Sequence, residues 1–328
     1  MLDYGTIIKR SVEVVKKNRW LLVYGALIAG GFASGGSAGG GSSSNSKPDM
    51  NLEDLPQKTS SVLGESANIF RDWLASVSPL TWALLAGGIL LIVIIGIVAA
   101  LIMKNWAKAS LISGAQLALN DQPTDLSNTS PLGKAKTKSL IIFSFISGGI
   151  TLAVIILLTI IGGLTYVLMK GAPVMTVLWG IFIAFPTVIA LFTFFIFLTM
   201  ISIYADRLIV LKNLTPWNAW KKALSLSKGN FLDTAVMGII NSVTTGIFGC
   251  LTTIIVLLIL GIPSLIILLP SLINKKSPPP IVWVFLVIFV LLFIVTVTLI
   301  SAATAVFKFS NWNQVFNEVF SKEGQPNE

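Results

Sequence analysis

Residues 215–231 read TPWNAWKKALSLSKGNF, with apolar runs pressing on both ends. Thr215 is a good N-cap, and Pro216 falls at the first helical position, where its missing N–H costs nothing. Trp217, Trp220, Leu224, Ser227 and Phe231 follow at spacings of three and four, which assigns them to one helix face. Lys221, Lys222, Ser225 and Lys228 fall on the other face, and Gly229 offers a C-terminal stop. Tryptophan on the apolar side and lysine on the polar side is the composition of a helix lying in a membrane interface. A solvated surface helix in a loop is the competing reading; the apolar runs on either side favour the interface.

Those runs are typical of the whole chain. Its 328 residues are 54% hydrophobic and only 11% charged, with mean hydropathy +0.85. A soluble domain is roughly a quarter charged, so the deficit decides the class. The net charge of +9 would point to nucleic acid in a soluble protein, but here the cations sit at the ends of apolar runs. The partner they imply is the lipid bilayer or another membrane protein, and no nucleic acid is expected. The single cysteine, Cys250, lies in an apolar run and reads as a small buried residue. The chain has no histidine, so the commonest general base and metal ligand are missing. No paired acids, CxxC or HExxH motif appears, and neither an enzyme nor a cofactor or metal is expected.

Working outward, the N-terminus repeats the opening stretch. Tyr4, Ile7, Ile8, Ser11, Val12 and Val15 share a face, with Asp3 as cap and Lys9, Arg10, Glu13, Lys16 and Lys17 covering the rest. IKRSVEVVKKN from Ile8 matches WKKALSLSKGN from Trp220 without a gap. Lys9, Lys16 and Asn18 recur as Lys221, Lys228 and Asn230. An apolar span follows each copy, so the chain carries an internal repeat of interfacial helix plus span; chance similarity between two basic helices is the alternative.

Six spans are predicted, over residues 20–36, 79–103, 139–169, 174–204, 232–260 and 281–306, within a single membrane domain 1–328. The first is short and glycine-rich. A cleaved leader would share its basic start, but the 19 residues before it are patterned as a helix. Residues 37–78 form a Gly/Ser-rich loop, with a short helix over 61–77. Residues 120–131 read as a turn-rich loop, and the small residues of 107–118 as a close-packing surface. The two central spans are longer than crossing requires, with Pro186 as a kink and Gly148, Gly149, Gly162 and Gly163 as contact points. The helix after Leu232 is expected to break near residues 261–263, with the piece bracketed by Pro263 and Pro270 lying in the interface. Phe309, Trp312, Phe316 and Val319 give a last amphipathic helix in the tail 309–328.

Lys and Arg set the orientation. Lys9, Arg10, Lys16, Lys17 and Arg19 precede the first span. Lys104, Lys108, Lys134, Lys136 and Lys138 follow the second, and Arg207, Lys212, Lys221, Lys222 and Lys228 follow the fourth. With Lys308 and Lys322 they are 17 of 23; Lys47, Lys58, Arg71, Lys170, Lys275 and Lys276 are the six on the other side. The positive-inside rule then makes both termini and the region 215–230 cytoplasmic, in a multi-pass cell-membrane protein. No charge lies mid-span, which argues against proton-coupled transport. Asp206 is expected to pair with Arg207 or cap the turn, and Asn241 to serve helix packing.

Tyr204-Ala205-Asp206, residues 215–231 and Lys17-Asn18-Arg19-Trp20 carry a resemblance. This layout is similar to a bacterial family of uncharacterised six-span integral membrane proteins, which resemble the membrane domain that some bacteria attach to glycerophosphoryl diester phosphodiesterases. The likeness spans most of the chain in layout and about 40 residues in motif. No soluble stretch is long enough for the catalytic domain of such fusions, so no activity carries over. The expectation is an all-α, polytopic, non-enzymatic protein working through cytoplasmic interfacial helices. The candidate contacts are Lys9, Arg10, Lys16, Trp20, Trp217, Trp220, Lys221, Lys222, Lys228 and Trp312. The alternative is a transporter or lipid-handling protein with a site between the long central helices.

Overall fold

The computed structural model describes residues 3–29, 78–169, 173–263, 265, 269 and 280–323. Among these every regular element is a helix: α1 (Tyr4–Lys17), α2 (Leu21–Ala29), α3 (Pro79–Leu119), α4 (Leu126–Met169), α5 (Pro173–Lys212), α6 (Pro216–Gly229), α7 (Phe231–Val256), a π turn (Leu257–Gly261) and α8 (Pro280–Glu323). Five of them, α3, α4, α5, α7 and α8, are long and apolar enough to cross a membrane. Of the first expected span, 20–36, only the nine-residue α2 and Trp20 are described, which is not long enough to count among these five; residues 30–36 lie outside the described ones. Residues 37–77 and 170–172, and the Pro263–Pro270 piece apart from Pro263, Leu265 and Leu269, lie outside them too.

The protein is an all-α, polytopic helical membrane protein. The most apolar window of each long helix is at most 28% buried within the chain, although these stretches hold most of its large apolar side chains. Helices satisfy their own backbone hydrogen bonds, so such surfaces are stable against lipid and unstable against water. Cys250, read as buried, is exposed on this surface.

The chain divides into two units, Met1–Ser34 with Leu101–Glu328, and Gly35–Ala100. In the second, Ser78 opens α3 by accepting from the Thr81 N–H at 3.2 Å. The first holds the packed core, drawn from α1 and α2, residues 105–143, residues 197–241 and the last turns of α8. The small residues of 107–118 are buried there as the sequence predicts, among them Ala107, Ala109, Ser110 and Ala115. The critical glycines differ from those expected. A Cβ on Gly148, Gly149, Gly162 or Gly163 would meet open space, whereas one on Gly25 would lie 2.5 Å from the Ala302 carbonyl oxygen on α8.

α4, α7 and α8 depart from the expected limits, while α3 ends at Leu119, just before the loop expected from Asn120. α4 starts before Pro131, not after it, because the Asp125 carboxylate accepts from the Asn128 N–H at 3.2 Å and fixes the first turn. α3 ends with Asp121 at φ 54°, the Asp121 and Gln122 N–H groups donating to the Ala118 and Leu117 carbonyls. α7 does not break at residues 261–263; it widens into the π turn one turn earlier. Pro263, two residues beyond that turn, lacks an N–H, and its ring crowds the carbonyl four residues back, which lies within the turn. α8 runs unbroken to Glu323, so the apolar span and the expected tail helix are one element.

Candidate functional site

The two surface helices of the expected repeat match in length and in their ends. α1 and α6 are each 14 residues, and Tyr4, Lys17 and Asn18 correspond to Pro216, Gly229 and Asn230 at one constant offset. Both helices close on their asparagine. The Asn18 backbone N–H donates to the Val14 carbonyl and its side-chain amide to the same oxygen at 3.2 Å; Asn230 does the same to Leu226 at 3.3 Å. Matched places are buried in both: Ile7 with Ala219, Ser11 with Ala223, Val14 with Leu226.

α1 lies on the last turns of α8. The Gln314 side-chain amide donates to the Ile7 carbonyl at 3.1 Å and to Ser11 Oγ at 2.7 Å. Arg10 Nη2 donates to the Leu119 carbonyl at 3.0 Å, so this cation is used to cap α3. The Tyr4 hydroxyl donates to Asp233 at 3.2 Å; burial is the larger cause that pushes this hydroxyl above its ordinary value, with the Asp233 charge adding to it. Lys17 pairs with Glu13 at 2.6 Å, which holds the carboxyl below and the ammonium above their ordinary values.

α6 lies against the end of α5, with Trp220 tilted on Phe143 at 6.2 Å between ring centroids. Here the predicted face is rotated. The buried stripe is Ala219, Ala223, Leu226 and Ser227, while Trp217 is 55% exposed with the Lys221 ammonium 5.6 Å over its ring. Hydrophobic periodicity weights tryptophan over alanine, but small side chains are what let two helices approach closely. Trp312 is a second correction: at 4% exposure it is core, inside α8, and cannot contact lipid.

The remaining candidates stay outside. Lys9, Lys16, Trp20, Lys221 and Lys228 are exposed, Trp20 by 55%, and Lys222 is half-buried beside them. Lys9, Lys16, Lys221 and Lys228 are thus displayed on two equivalent helices, clear of the packed stripes.

The packed unit also holds a set of buried polar groups, with Asp206 and Asn241 among them. Asp206 pairs with Lys108 of α3 at 2.5 Å, not with its neighbour Arg207. Arg207 is buried, donates to the Ile203 and Phe309 carbonyls at 2.8 and 3.3 Å, and lies over the Phe309 ring. Asn311 donates to Asn241 across α8 and α7 at 2.7 Å, a packing contact. A repeated Asn-Trp pair was the available signal. Asn105-Trp106 in α3 and Asn311-Trp312 in α8 each mark where an apolar helix enters the core, and both asparagines are buried. Asn105 accepts from Ser144 Oγ at 3.2 Å. No family model, curated protein or solved structure matches the chain.

Proposed function

We propose that this is a non-enzymatic integral membrane protein of a bacterial cell membrane, with both termini cytoplasmic, that works by engaging lipid or a partner membrane protein through α1 and α6. The observation that carries it is the pair of matched helices, each seated on the ends of long apolar helices and each turning exposed lysines away from its seat. The 17 to 6 distribution of Lys and Arg supports the orientation. A lysine near an anionic surface is worth about 1 kcal/mol. Reversing Lys221, Lys222 and Lys228 to Glu should therefore markedly weaken association with anionic liposomes or with a co-purifying membrane partner. Unchanged liposome binding and pull-down would end this reading.

A second reading, a transporter or lipid-handling protein with a site between α4 and α5, draws on Pro186 inside α5 and on the π turn, a feature frequent at functional sites. Ser147 and Ser202 meet at 3.5 Å between those helices. Its test is flux of a fluorescent lipid or solute across proteoliposomes.

A further inference from the structure

What the two copies keep and what they change point in opposite directions. Lys9 and Lys221 match, as do Lys16 and Lys228, and all four are exposed. At the packed places the residues differ: Ile7 against Ala219, Ser11 against Ala223, Val14 against Leu226. Close packing constrains buried volume and leaves exposed places free. The packed places differ because the two helices rest on different elements, α8 and α5, but folding makes no such demand on the exposed places. Here the cations persist where packing makes no demand.

Their geometry is also specific. Each pair is seven residues apart, two turns along one face, or about 10.5 Å along the axis. Beside each pair runs a half-buried apolar flank, Ile8, Val12 and Val15 in α1 and Trp220 and Leu224 in α6, of which Val15, Trp220 and Leu224 also pack on the core of the chain. A helix in the interface turns such a flank toward the acyl boundary and its adjacent lysines toward the headgroups. The neighbouring cations of α1 are committed within the chain, Arg10 to the Leu119 carbonyl and Lys17 to Glu13. Among the described residues no carboxylate lies within ion-pair distance of the four matched lysines, and Glu13, whose carboxylate also feels the Lys9 charge, is paired with Lys17. The ring beneath Lys221 leaves its charge in place.

We propose that α1 and α6 form two equivalent seats for the phosphate headgroups of anionic phospholipid in the surrounding bilayer, each seat being a lysine pair two helical turns apart. This rests on the lipid-engaging function proposed above and adds its ligand class and its multiplicity. The test uses the full chain in nanodiscs of phosphatidylcholine doped with phosphatidylglycerol. Lipid retained after extraction is counted by native mass spectrometry. The double variant Lys9→Gln/Lys16→Gln and the double variant Lys221→Gln/Lys228→Gln should each lower phosphatidylglycerol enrichment by half. The quadruple variant should reduce it to the phosphatidylcholine level, and the four Lys→Arg replacements should retain it. If one pair alone accounts for all the enrichment, the equivalence is overturned while lipid engagement stands. If the quadruple variant enriches phosphatidylglycerol like the native chain, this inference is overturned. Lipid engagement then survives only if the Lys221, Lys222 and Lys228 to Glu reversal still weakens liposome binding.

Discussion

Helices α1 and α6 have one length, one C-cap and one set of matched lysines, yet they are seated by different means. α1 rests on Ile7 where α6 has the smaller Ala219, and a glutamine from α8 reaches across to its backbone and to Ser11. α6 rests on Ala219 and Ala223 against the end of α5, with an aromatic pair at its edge. A long apolar side chain holds two helices apart and leaves room for a polar bridge; alanine lets the backbones close and removes that room. The same local sequence pattern thus specifies the helix and its outward face, while the Ile7/Ala219 place, where the two copies differ most in volume, distinguishes the seats.

If the seats are specific, exchanging their residues must be costly. Ile7→Ala empties a buried site and should destabilise by about 2–5 kcal/mol, the range for large-to-small core changes. Ala219→Ile forces extra volume between two close helices and should cost about 1–3 kcal/mol. Both are read as loss of thermal stability in detergent at constant lipid content. A neutral double exchange would mean that the two seats are interchangeable, and the comparison would break.

A smaller effect sharpens it. Asn18→Ala and Asn230→Ala each remove a side-chain hydrogen bond to a carbonyl one turn back, worth about 0.5–1.5 kcal/mol. Asn18 also accepts from the buried Thr124 hydroxyl at 2.5 Å, so its loss strands a donor and should cost about 1–3 kcal/mol more. Equal destabilisation by the two variants would show that the Thr124 contact contributes nothing to the α1 seat.

Much of this was legible in residue order. Asp3, Thr215-Pro216 and the two asparagines mark both surface helices, and the lysine pairs follow from aligning the copies. The inward stripe of α6 was not legible, because alanine carries little hydrophobic signal and its role is to permit approach. The continuity of α8 could have been read from the absence of Gly and Pro between residues 281 and 323; the switch from a uniformly apolar to an amphipathic pattern concealed it. Lys108–Asp206 joins α3 to α5 across nearly a hundred residues, and no local pattern announces such a pairing.

The smallest expected difference lies at the N-caps, and only one of them titrates. The Asp3 carboxylate accepts from the Thr6 hydroxyl at 2.6 Å and from its N–H at 3.2 Å, and these bonds hold it below its ordinary value of 3.8. A carboxyl lowered on folding contributes stability that is full above its unfolded value and is lost as pH falls through the lowered one. Thr215 makes no side-chain cap bond, and Pro216 sets the first turn of α6 at any pH. Acidification from pH 5 should therefore shift the Thr6 amide resonance with a midpoint below 3.8, while the amide of Asn218, at the matched place in α6, stays still. Glu13 is also lowered, by Lys17, and titrates on the same helix, so Glu13→Gln is the control that isolates the cap. Asp3→Asn keeps a capping side chain without a proton to gain, and should flatten the Thr6 curve while leaving α1 helical. A Thr6 shift that survives Asp3→Asn would mean the α1 terminus answers to some other group, and the two caps would not differ in the way their geometry indicates.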